Sequence, residues 1–555
     1  MKIKRLMSVS MLAVAAMLSF QASAANLNVT AARTAAGDFL KHQALSQPGT
    51  LMAPALADLK LAYAEPSGKV KGANDFYAFN IKGGGFIIVA GEDRATPVLG
   101  YSDKGKIDFN NLPPALQDLL QEYKQEIEFL QTYTGNDLRV VEPSFNATTG
   151  AGPLIKTTWG QEMPYYLQCP IYQGEYCVVG CIATAMAQVM YYWQYPTSCS
   201  SINSFYCYDI RQTVQALPAT TFDYSLMLPS YCHWDWDNSE LIQDTYTDAQ
   251  AQEVAKLSRY CGQAVQMGYS PDGSGAYSED QLDAMKDFGY SSSAQLVSKG
   301  GWWSNYSTDQ WEALMKTELD AGRPLLYSAS DPSAGGHAFI CDGYNTAGYF
   351  HFNMGWYGTC DGWYVSTSLR MLHRSGEQLN FSSNHSIITG LEPPAYCIIN
   401  SVELDADGGM IMLGENLNTM AKDFSFRTSY STLNLQFGLV DMNGNRVCTG
   451  NAVSVNKNSI EQGSTVNGTI TLPETLASGT YNLGLCYYTT SAGNLTNIAT
   501  SDGKLTVVGH VAKYGAPFTV TDVTTLINYL LGNDYPQLTV TDATQLINYV
   551  LNSAE

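Results

Sequence analysis

Positive charge is scarce in this chain of 555 residues, which carries 30 lysine and arginine side chains against 51 aspartate and glutamate side chains. The net charge of −21 at pH 7 repels polyanions, so we expect neither nucleic acid nor an anionic membrane surface as a partner. Only 15% of the residues are charged and 45% are hydrophobic, which is typical of globular proteins and not of disordered or fibrous ones. The length exceeds what one hydrophobic core can organise, so we expect several domains.

Long apolar runs are missing after the N-terminus, since no later window reaches the roughly 18 consecutive apolar residues of a membrane-spanning helix. Three basic residues lie within the first five positions, an apolar run follows at 11–20, and small residues follow at 22–24. This order is typical of a secretory signal peptide. We therefore predict a signal peptide over residues 1–24 and a secreted, extracellular protein without a transmembrane segment, with association to the cell surface left open.

Clustered metal ligands are missing as well. The twelve cysteines are spread along the chain without a Cys-x-x-Cys pair, and the seven histidines are scattered. We therefore expect no metal site and no cofactor. Export permits disulfides, and the short loops between Cys169 and Cys177 and between Cys199 and Cys207 suggest two of them.

Changes of composition divide the chain into regions. Residues 143–153 are mostly Ser, Asn, Thr and Gly, which is typical of an exposed linker. The region after this linker has long apolar helices first and short alternating strands later, and that order predicts an α+β domain. After Pro393-Pro394, short alternating runs with Gly and Asn turns predict a β-sandwich.

The C-terminal segment contains an internal repeat, because residues 518–530 recur in similar form at 538–550. Each copy is predicted to form one amphipathic helix, and the pair resembles dockerin-type repeats, which dock to a partner module and bind calcium. The carboxylates expected in the first calcium loop are mostly missing, so we expect calcium binding there to be absent or weak. A small helical pair that packs on the sandwich is the alternative.

Cys181 is the candidate nucleophile. It begins a predicted helix whose first turns are mostly small residues, and the free N–H groups and dipole of a helix N-terminus stabilise a thiolate and can bind an oxyanion. A nucleophile of this kind needs a base that is distant in sequence. His337 is the best candidate among the histidines, since two glycines precede it on a predicted strand and Asn353 lies on the neighbouring strand.

These motifs together resemble the streptopain family of papain-like cysteine proteases. Cys181 begins Cys-Ile-Ala-Thr-Ala-Met-Ala-Gln, His337 lies in Gly-His-Ala-Phe, and Trp159-Gly-Gln precedes both. The resemblance covers roughly residues 25 to 390, because the segment before the linker is similar to the family's inhibitory propeptide. It implies an α+β papain-like peptidase domain, with a helical half and an antiparallel sheet half. An α+β propeptide would precede this domain, and an all-β sandwich and a short helical tail would follow it.

The resulting domain organisation has five parts. We predict a signal peptide at 1–24, an inhibitory propeptide at 25–148, a papain-like peptidase domain at 149–392, a β-sandwich domain at 393–508 and a dockerin-like helical repeat tail at 509–555.

The resemblance also implies roles for single residues. Cys181 would be the nucleophile and His337 the general base and then the acid. Asn353 would orient the imidazole, and Gln161 would donate to the oxyanion. The expected substrate contacts are Ser274, Gly275 and Ala276, which resemble the family's cleft loop, together with Gly336 and Trp356.

One position departs from the family pattern. The family usually places a tryptophan directly after the asparagine, whereas this chain has Met354 there. The aromatic wall beside the His–Asn pair is then either thinner or supplied by Trp356.

The sequence therefore predicts a cysteine endopeptidase that is made as a zymogen and hydrolyses peptide bonds in proteins through a Cys181 thioester. Its expected partners are protein or peptide substrates, its own propeptide as inhibitor, and a protein or surface partner of the tail. Two alternatives stay open. The same residues support acyl transfer to an amine, as in a transglutaminase or peptide ligase. The chain could also be a surface adhesion protein with a vestigial enzyme domain.

Overall fold

The structure is a computed structural model, and its described residues divide between Pro393 and Pro394 into two compact units. The predicted signal peptide, most of the predicted linker and the repeats at 509–555 lie outside the described residues. The described residues are 26–46, 54–134, 138–140, 150–236, 240–300, 306–331, 335–368, 371–373, 385–394, 396–406, 410–412, 416–430, 432–441, 446–456, 464–473, 476, 479–488 and 496–508.

The N-terminal region places two helices beside a four-stranded meander. The second of these helices, Pro114–Thr132, has proline at its first position, where the missing N–H costs nothing. Leu116, Tyr123 and Ile127 lie on its buried face. The elements are α1 (Val29–Ser46), a short 3-10 helix (Leu56–Asp58), β1 (Leu59–Pro66), β2 (Asn74–Ile81), β3 (Phe86–Ala90), β4 (Val98–Ser102), α2 (Pro114–Thr132) and β5 (Leu138–Val140).

The middle region has a helical part followed by a sheet part, as the α+β prediction requires. None of the described helices is both long and apolar enough to cross a membrane. The elements are β6 (Ile171–Tyr172), β7 (Glu175–Tyr176), α3 (Cys181–Trp193), β8 (Ser198–Cys199), β9 (Phe205–Cys207), β10 (Gln212–Val214), β11 (Thr220–Thr221), β12 (Cys232–Asp235), β13 (Glu240–Gln243), α4 (Asp248–Ala264), α5 (Ser278–Asp287), β14 (Gln295–Ser298), α6 (Thr308–Asp320), β15 (Leu325–Asp331), β16 (Gly335–Tyr344), β17 (Phe350–Asn353), β18 (Gly362–Tyr364), β19 (Met371–His373) and β20 (Ser386–Thr389).

One ten-stranded sheet joins the N-terminal and middle regions. Its strands follow the order β1-β2-β3-β4-β18-β17-β16-β15-β20-β14. Every pair in it is antiparallel, including the junction of β4 with β18, where Tyr101 lies opposite Trp363. One apolar core lies against this sheet and contains residues of both regions, for example Phe79 of the N-terminal region and Tyr364 of the middle region.

The C-terminal unit is a β-sandwich. A three-stranded sheet of order β21-β23-β26 and a five-stranded sheet of order β22-β28-β27-β24-β25 supply residues to one core. A Cβ on Gly468 would stand 2.3 Å from the ring of Phe437 on the other sheet, so glycine permits this close approach. The strands are β21 (Cys397–Ala406), β22 (Met410–Met412), β23 (Asn416–Thr428), β24 (Thr432–Val440), β25 (Arg446–Asn456), β26 (Ser464–Thr471), β27 (Gly479–Tyr488) and β28 (Thr496–Val508).

The two expected disulfides are wrong. Cys169, Cys177, Cys199 and Cys207 are free thiols, as are the other cysteines whose side chains the structure describes. Cys207 instead lies within the core, where its sulfur accepts the backbone N–H of Tyr269 at 3.2 Å. Short spacing in the sequence therefore did not lead to pairing.

Candidate active site

Cys181 is the first residue of helix α3. Gly180 caps the helix with a φ of 89° and no side-chain hydrogen bond, so the N–H groups of the first turn stay open to a ligand. A Cβ at Gly180 would stand 2.8 Å from the Met267 side chain and 2.9 Å from the Ser274 carbonyl oxygen. The positive φ and the close contacts both require glycine here, and together they fix the position of Cys181.

His337 lies near the start of β16, opposite Ala329 of β15, and its ring is half-buried. Helix α3 packs against β16. The backbone N–H of Ala338, the next residue, lies close enough to the Cys181 thiol to favour its ionised form. The fold therefore brings the candidate nucleophile and the candidate base to one place, although the described residues contain no hydrogen bond between their side chains.

Electrostatics keep both groups neutral in this state. Burial raises the pKa of the Cys181 thiol, and the carboxylate of Asp118 on α2 raises it further. The backbone N–H groups of Ala338, Ile182 and Cys181 itself oppose that rise. Burial lowers the pKa of the His337 imidazole. A thiolate–imidazolium pair, the reactive form of such a site, is therefore disfavoured by burial and by the nearby Asp118 of α2.

The backbone of Gln161 is hydrogen-bonded to the segment that leads into Cys181. Its carbonyl oxygen accepts the N–H of Val179 at 3.0 Å, two residues before the nucleophile. The preceding Gly160 packs on Tyr357, since a Cβ there would stand 2.2 Å from the tyrosine ring. The Gln161 side chain is only partly buried, so it is available at the rim of the site.

Asn353 is close to the site but does not contact His337 in this state. Its side-chain N–H donates to the Thr157 carbonyl oxygen at 2.7 Å. Its side-chain oxygen accepts from Gln188 at 3.1 Å and from the N–H of Gly355 at 3.0 Å. The amide is only 3% exposed, and these three bonds fix its orientation.

The predicted cleft loop lies between the two candidate residues. Ser274 anchors it on the Cys181 side, where its hydroxyl donates to the Val178 carbonyl oxygen at 2.7 Å. Ser278 anchors it on the His337 side, where its hydroxyl lies 2.8 Å from that of Ser328 on β15. Between these anchors, Gly275 is exposed and Ala276 is half-buried. Sequence reasoning missed the residue that follows, Tyr277, whose side chain is 77% exposed on this loop.

The remaining predicted contacts lie on either side of the asparagine strand. Gly336 is exposed beside His337, and Trp356 is half-buried. Met354, at the position where the family has tryptophan, is 4% exposed, and its N–H donates to Asp361 at 2.8 Å. Because Met354 points into the core, Trp356 is the aromatic side chain available near Asn353.

The N-terminal region contacts the sheet that carries this site at two places, through strand β4 and through helix α2. Strand β4 extends the sheet at β18, and Gly100 approaches Tyr364 so closely that a Cβ would stand 2.3 Å from its ring. Helix α2 packs against β15 and β16, the strands around His337. Tyr123 of α2 donates its hydroxyl to the Val365 carbonyl oxygen at 2.5 Å.

Three carboxylates of α2 form what we name the carboxylate face: Asp118, Glu122 and Glu126, each four residues from the next. This spacing places them on one side of the helix. Asp118 acts on Cys181, as described above, and an oxygen of Glu122 lies 2.7 Å from Nε2 of the buried His385. The carboxylate face could have been predicted from the sequence, because acids at every fourth position of a helix that is otherwise apolar on that side indicate a polar partner.

Glu126 makes the most complete set of contacts. It accepts the hydroxyl of Thr367 at 2.5 Å, and the N–H and hydroxyl of Ser368 at 2.7 and 2.6 Å. Burial raises the pKa of Glu126, and the hydrogen bonds from Ser368 and Thr367 oppose that rise.

Elsewhere, Nδ1 of His351 lies 2.6 Å from an oxygen of Asp342, and this histidine has no role in the proposed Cys181 site. Within the described ranges, no group of three or more His, Cys, Asp or Glu residues is arranged to hold a metal ion.

Comparison with known proteins finds two family models along the chain. The model of the Peptidase C10 family matches residues 159–364, and that of the Spi protease inhibitor matches residues 24–127. Streptopain of Streptococcus pyogenes serotype M1 is 27% identical over 389 residues, which cover 66% of this chain and 92% of streptopain. A mutant prointerpain A fragment from Prevotella intermedia is 28% identical and covers 60% of this chain and 98% of its own, with a TM-score of 0.46. Active interpain A of the same organism is 30% identical and covers 45% and 98%, with a TM-score of 0.36.

The two family models place an inhibitor domain directly before a peptidase domain, which is the order of an inactive precursor. The chain therefore belongs to the peptidase C10, or streptopain, family of cysteine proteases, and is a zymogen whose inhibitor domain precedes its endopeptidase domain.

Proposed function

We propose that Cys181 is the nucleophile of this endopeptidase and that His337 is its general base and acid. The observation that carries the proposal is the position of Cys181 at the first turn of α3, with the N–H of Ala338, next to His337, against its thiol. The helix N-terminus supplies the field that favours a thiolate. Strand β16, which carries the proposed base His337, packs against helix α3, which begins with Cys181.

The proposed reaction has the following steps. His337 takes the thiol proton, and Cys181 attacks the carbonyl carbon of the scissile peptide bond. The N–H of Cys181 and the side chain of Gln161 stabilise the oxyanion that forms. His337 gives its proton to the amine as it leaves, and a thioester remains on Cys181. Water, deprotonated by His337, then hydrolyses the thioester and restores the thiol.

Asn353 has a positioning role in this proposal. Its amide is held between Thr157 and Gln188 and lies on the strand next to His337. Substrate would lie along the loop of Ser274, Gly275 and Ala276 and against Gly336 and Trp356. Because the hydroxyl of Ser274 already bonds Val178, that residue would offer its backbone rather than its side chain.

Removal of the inhibitor domain would activate the site by electrostatics as well as by access. Departure of α2 takes away the Asp118 carboxylate, which opposes the thiolate, and admits water to Cys181 and His337. Both changes favour the charged pair.

Secretion and the outer domain limits complete the proposal. Residues 1–24 would direct export, the inhibitor domain would end within the linker, and the β-sandwich and tail would follow as passengers. The tail at 509–555 would bind a protein or surface partner.

Labelling with an epoxide inactivator of cysteine proteases tests the assignment. Mass spectrometry should find the label on Cys181 of the processed enzyme, with little label on the intact zymogen. Label on another cysteine, with loss of activity, would refute the assignment.

A further inference from the structure

A fully buried glutamine links three parts of the candidate site. Gln188 of α3 is 0% exposed. Its Nε2 donates to the Asn353 side-chain oxygen at 3.1 Å, and its Oε1 accepts the hydroxyl of Thr157 at 2.7 Å. The same oxygen accepts the N–H of Trp159 at 3.4 Å. One amide thus contacts both the asparagine strand and the segment that leads to Gln161.

The position of Gln188 on its helix is equally specific. It follows Cys181 by seven residues, which is nearly two turns, so the two residues lie on the same side of α3 about 10 Å apart along the axis. The helix that carries the nucleophile therefore also carries the group that holds the asparagine amide.

The contacts of Asn353 determine which group Gln188 must offer to it. The Asn353 N–H group bonds the Thr157 carbonyl oxygen, so its oxygen must face Gln188 and the N–H of Gly355. The amide of Gln188 matches this arrangement, since it offers a donor to Asn353 and an acceptor to Thr157. An apolar side chain of equal size would leave the Thr157 hydroxyl without this acceptor and would leave the Asn353 oxygen with the Gly355 N–H as its remaining donor.

We propose that Gln188 is a positioning residue that holds Asn353 and the Thr157–Trp159 segment in register with Cys181. This inference rests on the proposed roles of Cys181, Asn353 and Gln161. Its effect is on the geometry of the reacting groups rather than on substrate affinity, so its loss lowers kcat more than it raises KM.

Gln188→Met in the processed enzyme tests the proposal, because methionine conserves volume and removes every hydrogen bond of the amide. Gln263→Met is the matched control. Gln263 is 1% exposed on α4 and donates to the carbonyl oxygens of Asn203 at 2.6 Å and Gln215 at 3.3 Å, neither of which has a part in the proposed reaction. With active sites counted by the epoxide inactivator, Gln188→Met should lower kcat about 10- to 100-fold, with KM within about threefold of the wild type. Gln263→Met should keep kcat near the wild-type value.

A second variant gives a readout that lost stability alone would not produce. In Gln188→Glu, an ionised carboxylate still accepts from Thr157 but cannot donate to Asn353, whereas a protonated carboxyl can. The ratio of variant to wild-type kcat should therefore rise as the pH falls from 8 to 5.5. This measurement also serves if Gln188→Met fails to fold.

Equal kcat for Gln188→Met and the wild type, an equal loss in Gln263→Met, or a ratio for Gln188→Glu that does not change with pH would overturn the proposal. The Cys181→Ala variant separates this failure from failure of the proposed function. If Cys181→Ala is inactive while Gln188→Met is fully active, only the role of Gln188 is wrong. If Cys181→Ala stays active, the assignment of the site is wrong.

Discussion

The carboxyl group of Glu126, within the residues that the inhibitor model matches, accepts both the N–H and the hydroxyl of Ser368, four residues after those that the peptidase model matches, at 2.7 and 2.6 Å. A buried carboxyl group whose oxygens accept hydrogen bonds avoids the cost of leaving buried polar atoms without partners. Glu126 is one of three acids on the carboxylate face, and another, Asp118, acts on Cys181. The same helix face therefore binds Ser368 through Glu126 and, through Asp118, adds to the rise in the pKa of the Cys181 thiol.

Replacing Glu126 with glutamine should change how the stability of the zymogen depends on pH. Burial raises the pKa of this carboxyl. The stability it contributes is therefore fully present below its unfolded pKa and is lost as the pH rises through its folded pKa. The free energy of unfolding of Glu126→Gln, relative to the parent, should increase between pH 4.5 and pH 8. Urea unfolding in a Cys181→Ala background, which prevents processing, measures it.

Glu279→Gln is the control for this measurement, because Glu279 is exposed on α5. Its stability relative to the parent should not change with pH. A difference for Glu126→Gln that stays constant or falls with pH would contradict the account of this carboxyl.

Asp118→Asn should make Cys181 of the intact zymogen more reactive. Removing the negative charge near the thiol favours the thiolate, so alkylation by iodoacetamide at pH 8 should be several-fold faster. Mass spectrometry of the peptide that contains Cys181 follows the rate, in a His337→Ala background that blocks processing in both proteins. An unchanged rate would mean that access alone, and not charge, protects the thiol.

Gly100→Val should loosen the inhibitor domain without affecting the mature enzyme. The new side chain would clash with Tyr364 across the junction of β4 and β18, at a cost of about 1–3 kcal/mol. Conversion of the purified zymogen should start sooner, whereas the processed enzyme should have wild-type kcat and KM. Leu61→Ala, an exposed change on the outer strand β1, should convert at the parent rate. Parent-like conversion of Gly100→Val would show that the β4–β18 junction does not restrain activation.

Gln161→Ala should lower kcat of the processed enzyme about 10²- to 10³-fold, since it removes one oxyanion donor. KM should change little, because the donor acts on charge that develops in the transition state. Steady-state kinetics on a peptide substrate measure both constants. A large rise in KM with kcat unchanged would instead make Gln161 a substrate-binding residue.

Local chemistry made much of the fold and site predictable. A cysteine before small helical residues and a histidine after two glycines are local patterns, and the structure places both where α3 meets β16. The pairing of β4 with β18 was not predictable, because short strands more than 250 residues apart leave their register open. The hydrogen bonds of the Asn353 amide could not be predicted either, since its partners Thr157 and Gln188 contact it only in the folded chain.

Other misses have similar causes. Helix α6 was not predicted from the sequence. It has a capping box of Ser307 and Gln310, but the adjacent Trp311 and Glu312 are both buried, which departs from the regular apolar spacing that predicts a helix. The paired cysteines were inferred from spacing alone, which says nothing about the direction of their side chains.

Self-processing of the purified zymogen shows whether Cys181 is the nucleophile. Wild-type zymogen and Cys181→Ala zymogen are incubated separately under reducing conditions, and the loss of the inhibitor domain is followed by gel electrophoresis and mass spectrometry. We expect the wild type to mature and Cys181→Ala to stay intact and inactive on a peptide substrate. Maturation of pure Cys181→Ala at the wild-type rate would contradict the assignment of Cys181 as the nucleophile.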